Sequence, residues 1–213
     1  MRKTAFVYDS ILSKHVLRNT HPMKPVRLQY TYELLNNYGI FEESSVNLIG
    51  PREAIYEELA YIHSDEYISA VQSLSEGLNE YLPEKYGFSE SGDNPIFSDM
   101  YQAAALSTGS SLIGAELVNS GESDVAFSIS GGLHHADRNS ASGFCIFNDP
   151  AIAIKYFVNS GKKVAYVDID AHHGDGVQNA FYNDNRVLTI SLHESGSYLF
   201  PGTGFSDETG NEH

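Results

Sequence analysis

The sequence predicts an α/β fold in which a parallel sheet is covered by helices on both faces. Short apolar segments alternate with segments of helical periodicity along the second half of the chain. Two of the predicted strands, ending at Val167 and Leu192, are almost continuously apolar, which is typical of strands buried on both faces. With 213 residues, of which 41% are hydrophobic and 19% charged, the chain can bury one substantial core. We therefore expect a single domain over residues 1–213.

The first half of the chain predicts one strand and three helices. Thr4–Tyr8 has the composition of a short buried strand. Apolar residues then recur at helical spacing up to Gly39, at Val26, Tyr30, Leu34 and Leu35. Further helices are expected over about 52–62 and about 66–74, the second with Ser64 as its N-cap. The segment 77–93 is rich in Gly, Pro and polar residues, so we expect a loop within the domain.

The second half predicts alternating strands and helices. Strands are expected over 125–130, 164–167 and 187–192, and helices over 101–119, 151–158 and 177–182. Asn148 or Asp149 should cap the helix that begins near Pro150, and Gly161 should follow its end. In parallel sheets of this kind ligands bind beyond the carboxyl ends of the strands. The residues that follow each strand should therefore carry the chemistry.

Composition excludes several classes of protein. The net charge of −15, without a cluster of Lys and Arg, argues against direct binding of nucleic acid. Two explanations of the acidity stay open: it attracts cationic substrates such as lysine-rich tails or polyamines, or it only keeps the protein soluble. The N-terminus turns polar too early for a signal peptide, and no apolar run is long enough to span a membrane. The single cysteine, Cys145, cannot form an internal disulfide, so a cytoplasmic location is expected.

The segment 168–176 is the more specific of two clusters of Asp and His. Asp168, Asp170 and His172 are spaced two residues apart as the chain leaves a strand, so they should point the same way. A carboxylate and an imidazole are ligands that zinc accepts, and Asp170 and His172 are candidates. A lone Asp or His here would more often be a cap or a surface residue, but the density of such groups disfavours that interpretation.

The second cluster follows the preceding strand. It comprises Gly131–Ala136 with adjacent histidines at His134 and His135, followed by Gly143–Cys145 and by Asn148 and Asp149. Glycines let the backbone approach a ligand closely, and each histidine can be oriented by its own carboxylate. An isolated pair of histidines is as often structural as catalytic. Next to the first cluster, the pair is a candidate for acid–base catalysis.

These clusters, with Thr189–His193 and Phe200–Gly204, resemble the signature segments of histone deacetylases and of acetoin utilization proteins. The resemblance extends back to His21–Pro25 and to segment 57–67, and so covers nearly the whole chain. It implies an arginase/deacetylase-like fold and a hydrolase that removes acetyl groups from acetylated lysine in proteins or peptides, or from a small acetylated amine. Leu133, where many animal members carry Trp, points to the acetoin utilization and acetylpolyamine amidohydrolase branch.

Carried over by position, the resemblance implies that Asp170 and His172 bind zinc, or Fe²⁺ or another divalent metal in its place. His134 and His135 would act as general base and general acid, each oriented by a carboxylate. The orienting carboxylates would be Asp168 and Asp175.

Further roles follow from the same resemblance. Asp168 would also join Ser191 at a structural potassium ion. Arg27 would lie by the inner cavity through which acetate leaves. The implied substrate-binding residues are Asp93, Gly143, Phe144 and Phe200.

The sequence departs from the family's pattern after Phe200–Gly204. The family's third zinc ligand, an aspartate, and its oxyanion-donating tyrosine lie further downstream, and this chain stops at His213. We therefore expect a domain truncated at its C-terminus, which lacks later strands and site residues and is inactive alone. Truncation after a strand should also expose apolar edge surface and favour self-association into oligomers.

Two alternatives remain open on the sequence. An incomplete site is compatible with a non-catalytic module that binds acyl-lysine or a partner protein. A ureohydrolase resembling arginase would bind two manganese ions through an Asp-x-His-x-Asp motif, but Gly174 stands where its second aspartate should be.

Overall fold

The computed structural model describes residues 2–14 and 17–211. The strands of this part are Thr4–Val7 (β1), Val46–Ile49 (β2), Val125–Ser128 (β3), Val164–Asp168 (β4) and Val187–Ser191 (β5). The α-helices are Val26–Asn37 (α1), Tyr56–Leu59 (α2), Asp65–Ser75 (α3), Met100–Ser120 (α4), Asp149–Asn159 (α5) and Asp175–Phe181 (α6).

The strands form two parallel sheets, one of three strands in the order β2–β1–β3 and one in which β4 pairs with β5. Both faces of β1 are buried, because Ala5 and Val7 point to one side and Phe6 and Tyr8 to the other. Phe6 and Tyr8 pack with Leu28 of α1, while α4 packs against β1 and β3. Helix α5 packs against α4 and β4, which connects the two sheets. The predicted α/β class with a parallel sheet is confirmed.

Most elements form where the sequence predicts them. The N-cap predicted for α3 is present, since the Ser64 hydroxyl accepts a hydrogen bond from the Tyr67 amide at 3.3 Å. Asn148 is the N-cap of α5, and its side chain accepts from the Ala151 amide at 3.0 Å. Cys145 is free and buried, as expected for a small core residue. These local signals are reliable because capping depends on residues within one turn.

The helix predicted over 52–62 is wrong in extent, because only Tyr56–Leu59 is helical. Tertiary contacts hold the preceding residues outside the helix. The Ala54 amide donates to the Ala105 carbonyl at 2.9 Å, and Arg52 forms ion pairs with Glu58 and Glu116. These contacts fix residues 52–54 along α4, so the chain turns into the helix only after Ile55.

Two features of the first half differ from the prediction: strand β2 was not predicted, and the apolar residues that predicted α1 do not form its buried face. Strand β2 is four residues long, lies at the edge of its sheet and has its two central residues exposed, so its pattern is weak. Helix α1 forms as predicted, but Tyr30 and Leu34 are exposed and Leu28 is its buried residue. Periodicity located this helix without identifying its buried face.

The two sheets leave apolar surface uncovered between and beside them. Within the described residues no backbone pairing joins β3 to β4. One face of the β4–β5 sheet carries Val167, Leu188 and Ile190, which are exposed by 57%, 59% and 39%. In the described ranges, no helix is both long and apolar enough to cross a membrane.

We expect this surface to make the chain self-associate. An apolar sheet face that no helix covers invites contact with a second copy. In light scattering, the apparent mass should rise with protein concentration, and Leu188→Lys should suppress that rise. Tyr38→Lys changes an exposed aromatic residue after α1 and serves as the matched control. A chain that stays monomeric at all concentrations would contradict the prediction.

Candidate active site

The polar residues predicted at the strand ends lie around one open cavity of about 880 Å³. The segment after β3 contributes His134 and His135, and the end of β4 contributes Asp168, Asp170 and His172. Because β3 and β4 present their carboxyl ends to the same cavity, two clusters that are more than 30 residues apart in sequence meet.

His134 and Asp168 form the more buried of two histidine–carboxylate pairs. Nδ1 of His134 lies 2.6 Å from Oδ2 of Asp168, and both side chains are buried. The same carboxylate accepts from the Tyr166 hydroxyl at 2.7 Å and from the Asp170 amide at 3.0 Å. Burial by itself would raise the pKa of Asp168, but the bonds from His134 and Tyr166 outweigh it and lower the pKa to about 2.

An ionised Asp168 fixes the state of His134. Burial lowers the pKa of His134, but the hydrogen bond and charge of Asp168 outweigh burial and raise it. Since the carboxylate accepts only, Nδ1 of His134 carries the proton and Nε2 is left to exchange a proton at the cavity.

His135 and Asp175 form the second pair. Nδ1 of His135 lies 2.7 Å from Oδ1 of Asp175, the first residue of α6. The N-terminus of a helix is a favourable place for an acidic side chain. The rings of His134 and His135 are only 4.0 Å apart between centroids, so the two imidazoles face one reaction space.

Asp170 and His172 present two metal-ligand atoms side by side. Oδ1 of Asp170 lies 2.9 Å from Nδ1 of His172, and both side chains are partly open to the cavity. Hydrogen bonds from His172 outweigh burial and lower the pKa of Asp170, so the carboxylate is charged. Among residues 2–14 and 17–211, no group of three or more His, Cys, Asp or Glu side chains is arranged to hold a metal ion. The pair therefore fits a divalent metal as two of its ligands, with further ligands required.

Aromatic rings and a glycine form the wall beside the histidines. The ring of Phe200 lies 4.9 Å from that of His135, and Phe144 packs edge-on against His21 at 4.6 Å. Phe144 has a left-handed φ of 71°, which is strained for a bulky residue and occurs at functional sites. A Cβ on Gly143 would lie 2.4 Å from Cδ2 of His135, so only glycine fits there.

Asp93 and Arg27 line the same cavity at its periphery. The backbone carbonyl of Asp93 lies 3.0 Å from Nε2 of the buried His21, which holds this loop in place. Arg27 also lines a smaller, mostly apolar cavity of about 80 Å³ behind Leu133 and Phe144. Burial lowers the pKa of Arg27, as expected for a guanidinium beside apolar walls.

Ser191 lies next to Asp168, because the two residues are paired in the register of β4 and β5. Its hydroxyl is 2.8 Å from Nδ1 of His193. The structure thus brings together the two residues that the resemblance assigns to potassium.

Comparison with known proteins identifies the family. A family model of the histone deacetylase domain matches residues 21–213. The chain belongs to the histone deacetylase family. It is 42% identical over 212 residues to the acetoin utilization protein AcuC of Bacillus subtilis, covering 99% of this chain and 54% of the relative. It is also 42% identical over 204 residues to the type-1 histone deacetylase 1 of Dictyostelium discoideum, covering 95% of this chain and 41% of the relative.

Solved structures of histone deacetylase homologues share the fold. A crystal structure of a histone deacetylase homologue from Aquifex aeolicus superimposes with a TM-score of 0.89 at 35% identity, covering 99% of this chain and 56% of that one. A homologue complexed with SAHA gives a TM-score of 0.89 at 34% identity. The arginase/deacetylase-like fold predicted from the resemblance is confirmed. The chain spans about half the length of the relatives it matches.

Two residues of the candidate site received no role from the sequence. Tyr166 lies on β4 two residues before Asp168, and strand alternation alone would have placed it on the same side. His21 belongs to a segment that resembles the family, yet its contacts with Asp93 and Phe144 span most of the chain. Such long-range contacts have no local signal in the sequence.

Proposed function

We propose that this chain supplies the acid–base half of a zinc-dependent deacetylase site, which hydrolyses the acetyl amide of acetyl-lysine or a related acetylated amine. The observation that carries the proposal is the pairing of two adjacent histidines with separate carboxylates beside the donor atoms of Asp170 and His172. Membership of the histone deacetylase family supports it. The whole protein would be a hydrolase acting in the cytoplasm.

Asp170 and His172 would hold the metal, since a carboxylate and an imidazole match the donor preference of zinc. When bound, zinc polarises the amide carbonyl and lowers the pKa of its water to about 7. Fe²⁺ or another divalent metal would suit the same pair. Since the described residues supply no group of three ligands, we further propose that the remaining ligand and the oxyanion donor come from other polypeptide.

The histidines would move the protons of the reaction. His134, with Nδ1 held by Asp168, exposes Nε2 and would act as the base that accepts a proton from the attacking water. His135, held by Asp175, would act as the acid that delivers a proton to the leaving amine. Because the ring centroids are 4.0 Å apart, both imidazoles would lie beside the same amide of the substrate.

The remaining residues would bind the substrate and a structural ion. Phe144 and Phe200 would enclose the aliphatic stem of the acylated amine, and Gly143 would let it pass close to His135. Asp93 would grip the substrate at the rim, and Arg27 would lie near departing acetate. Asp168 and Ser191 would contribute oxygens to a potassium ion.

Zinc binding tests the ligand assignment without turnover. In a chimera that joins this chain to the unmatched remainder of the Bacillus subtilis relative, competition with a chelating dye should detect one bound zinc, and Asp170→Ala should abolish it. Asp184→Ala removes a carboxylate paired with Arg186 and should retain the metal. Stoichiometric zinc in Asp170→Ala would show that this residue is not a ligand. Two equivalents of manganese per chain would favour the arginase-like alternative.

Acetate release from an acetyl-lysine peptide tests the reaction. The chain alone, with zinc added, should be inactive, because its described residues supply two metal ligands, Asp170 and His172, and no group of three. The chimera should release acetate. His135→Ala in the chimera should lower the rate by about 10² to 10⁴-fold. A folded, zinc-loaded chimera that binds the peptide without turnover would favour a non-catalytic acyl-lysine-binding role.

A further inference from the structure

Two consecutive side chains at the start of α5 reach into the loop that carries the histidines. Oδ1 of Asp149 accepts a hydrogen bond from the Leu133 amide at 2.8 Å, and Oδ2 accepts from the Gly132 amide at 3.1 Å. The Ser111 hydroxyl of α4 donates to the same Oδ2 at 2.5 Å. Asp149 therefore connects this loop to α4 as well as to α5.

Asn148 holds the same loop through its other polar groups. Its Nδ2 donates to the carbonyls of His134 at 3.2 Å and Ala136 at 2.8 Å. With the bonds to Asp149, four backbone groups of residues 132–136 are bound by two adjacent side chains. The two amides on the N-terminal side meet a carboxylate, and the two carbonyls on the C-terminal side meet an amide donor.

These contacts exceed what is needed to begin a helix. Capping of α5 uses one atom, since Oδ1 of Asn148 accepts from the Ala151 amide at 3.0 Å. The four bonds to residues 132–136 play no part in capping, because they join the start of α5 to the loop that carries His134 and His135. Asn148 and Asp149 are buried, so these polar groups would be costly to leave unpaired.

The carboxylate of Asp149 is surrounded by hydrogen-bond donors. Burial raises the pKa of Asp149, while the bonds from Ser111, Leu133 and Gly132 favour the charged form. Its place in the first turn of α5 adds the favourable field of the helix N-terminus. An asparagine there would offer an NH₂ group to at least one backbone N–H, which is a mismatch of two donors.

The geometry points to Asn148 and Asp149 as positioning residues of the deacetylase site. We propose that together they fix the backbone of residues 132–136 and so aim His134 at Asp168 and His135 at Asp175. This inference rests on the proposed roles of the two histidines. Its test measures how firmly each imidazole is held against its carboxylate, and it needs neither metal nor turnover.

The test follows the imidazole N–H protons that His134 and His135 place against their carboxylates. In the full chain labelled with ¹⁵N-histidine, both protons should exchange slowly with water. Asn148→Ser keeps an N-cap acceptor for α5 but removes the donors to the loop. We expect it to speed exchange of both imidazole protons about tenfold or more, with little change in amide protection along α5.

Asp149→Asn should have the same effect, and Asp184→Asn, which makes the same change of charge at a distant ion pair, should have none. If Asp149→Asn does not fold, Asn148→Ser still decides the question. Loss of amide protection in α5 with unchanged imidazole exchange would show that the pair only caps the helix, and would overturn the inference. Failure of the chimera to release acetate would leave this result intact.

Discussion

Asp168→Asn is expected to lower the free energy of unfolding at pH 7 by about 2 to 4 kcal/mol and to release His134 from its fixed orientation. Three donors converge on the native carboxylate, from the His134 ring, the Tyr166 hydroxyl and the Asp170 amide. An amide of the same size can accept at one atom only, so buried donors lose a charged partner. The open cavity screens part of this loss, which keeps the estimate below that for a fully enclosed pair.

The pH dependence of this effect has a defined direction. The pKa of Asp168 is lowered from about 3.8 to about 2 in the folded chain, so the unfolded chain binds the proton more readily between those values. The stabilisation is therefore complete above about pH 4 and is lost as the pH falls toward 2. Urea unfolding across this range should show a smaller loss of stability in Asp168→Asn than in the wild type, because other carboxyls with lowered pKa values, such as Asp170 and Asp184, titrate in both.

Two controls sharpen the result. Asp184→Asn removes the surface ion pair with Arg186 and should cost no more than about 1 kcal/mol. Tyr166→Phe removes one of the three donors, so its loss of unfolding free energy should lie between those of Asp168→Asn and Asp184→Asn. Equal stabilities of Asp168→Asn and Asp184→Asn would contradict the view that Asp168 organises the site.

The same residues show how much of the site could be predicted. Asp168, Asp170 and His172 were found because carboxylates and an imidazole follow an apolar strand at alternate positions. The distances that make the pairs, 2.6 Å to His134 and 2.7 Å to His135, depend on two segments meeting at one edge. A family resemblance could propose these pairings, but strand patterns alone could not.

Other features could not be predicted because neighbours far along the chain decide them. The helix predicted over 52–62 is shortened by contacts with α4, and the apolar residues of α1 at Tyr30 and Leu34 are left exposed. Asn148 and Asp149 were predicted as helix caps and as members of the second cluster, but their bonds to residues 132–136 could not be predicted, since those bonds are set by the fold. Local sequence patterns predicted most helices and strands and their ends. Packing determined which face of each helix is buried and which loop its side chains contact.

The chain should lose on the order of 3 kcal/mol of stability as the pH falls from about 6.5 to 4, because His63 must stay neutral in the fold. His63 is almost fully buried beside Tyr67 and Phe147, and its Nε2 accepts from the Asn148 amide at 3.0 Å. Burial lowers the pKa of His63 to about 4. The unfolded chain, with the ordinary value near 6.5, takes up the proton first, so acid favours unfolding within this window.

Replacement by a residue that does not titrate isolates this contribution from the carboxylates. His63→Gln keeps an acceptor for the Asn148 amide, and its free energy of unfolding should change little between pH 6.5 and 4.5. Asp184→Asn alters a carboxyl whose pKa is lowered by Arg186, so its contribution is lost only below this window and the variant should keep the wild-type slope. His63 accepts from the backbone amide of Asn148, whose side chain donates to the His134 carbonyl. Protonation of His63 removes that acceptor and should therefore loosen residues 132–136 before the chain unfolds. A wild-type slope in His63→Gln would mean that another group controls the acid sensitivity.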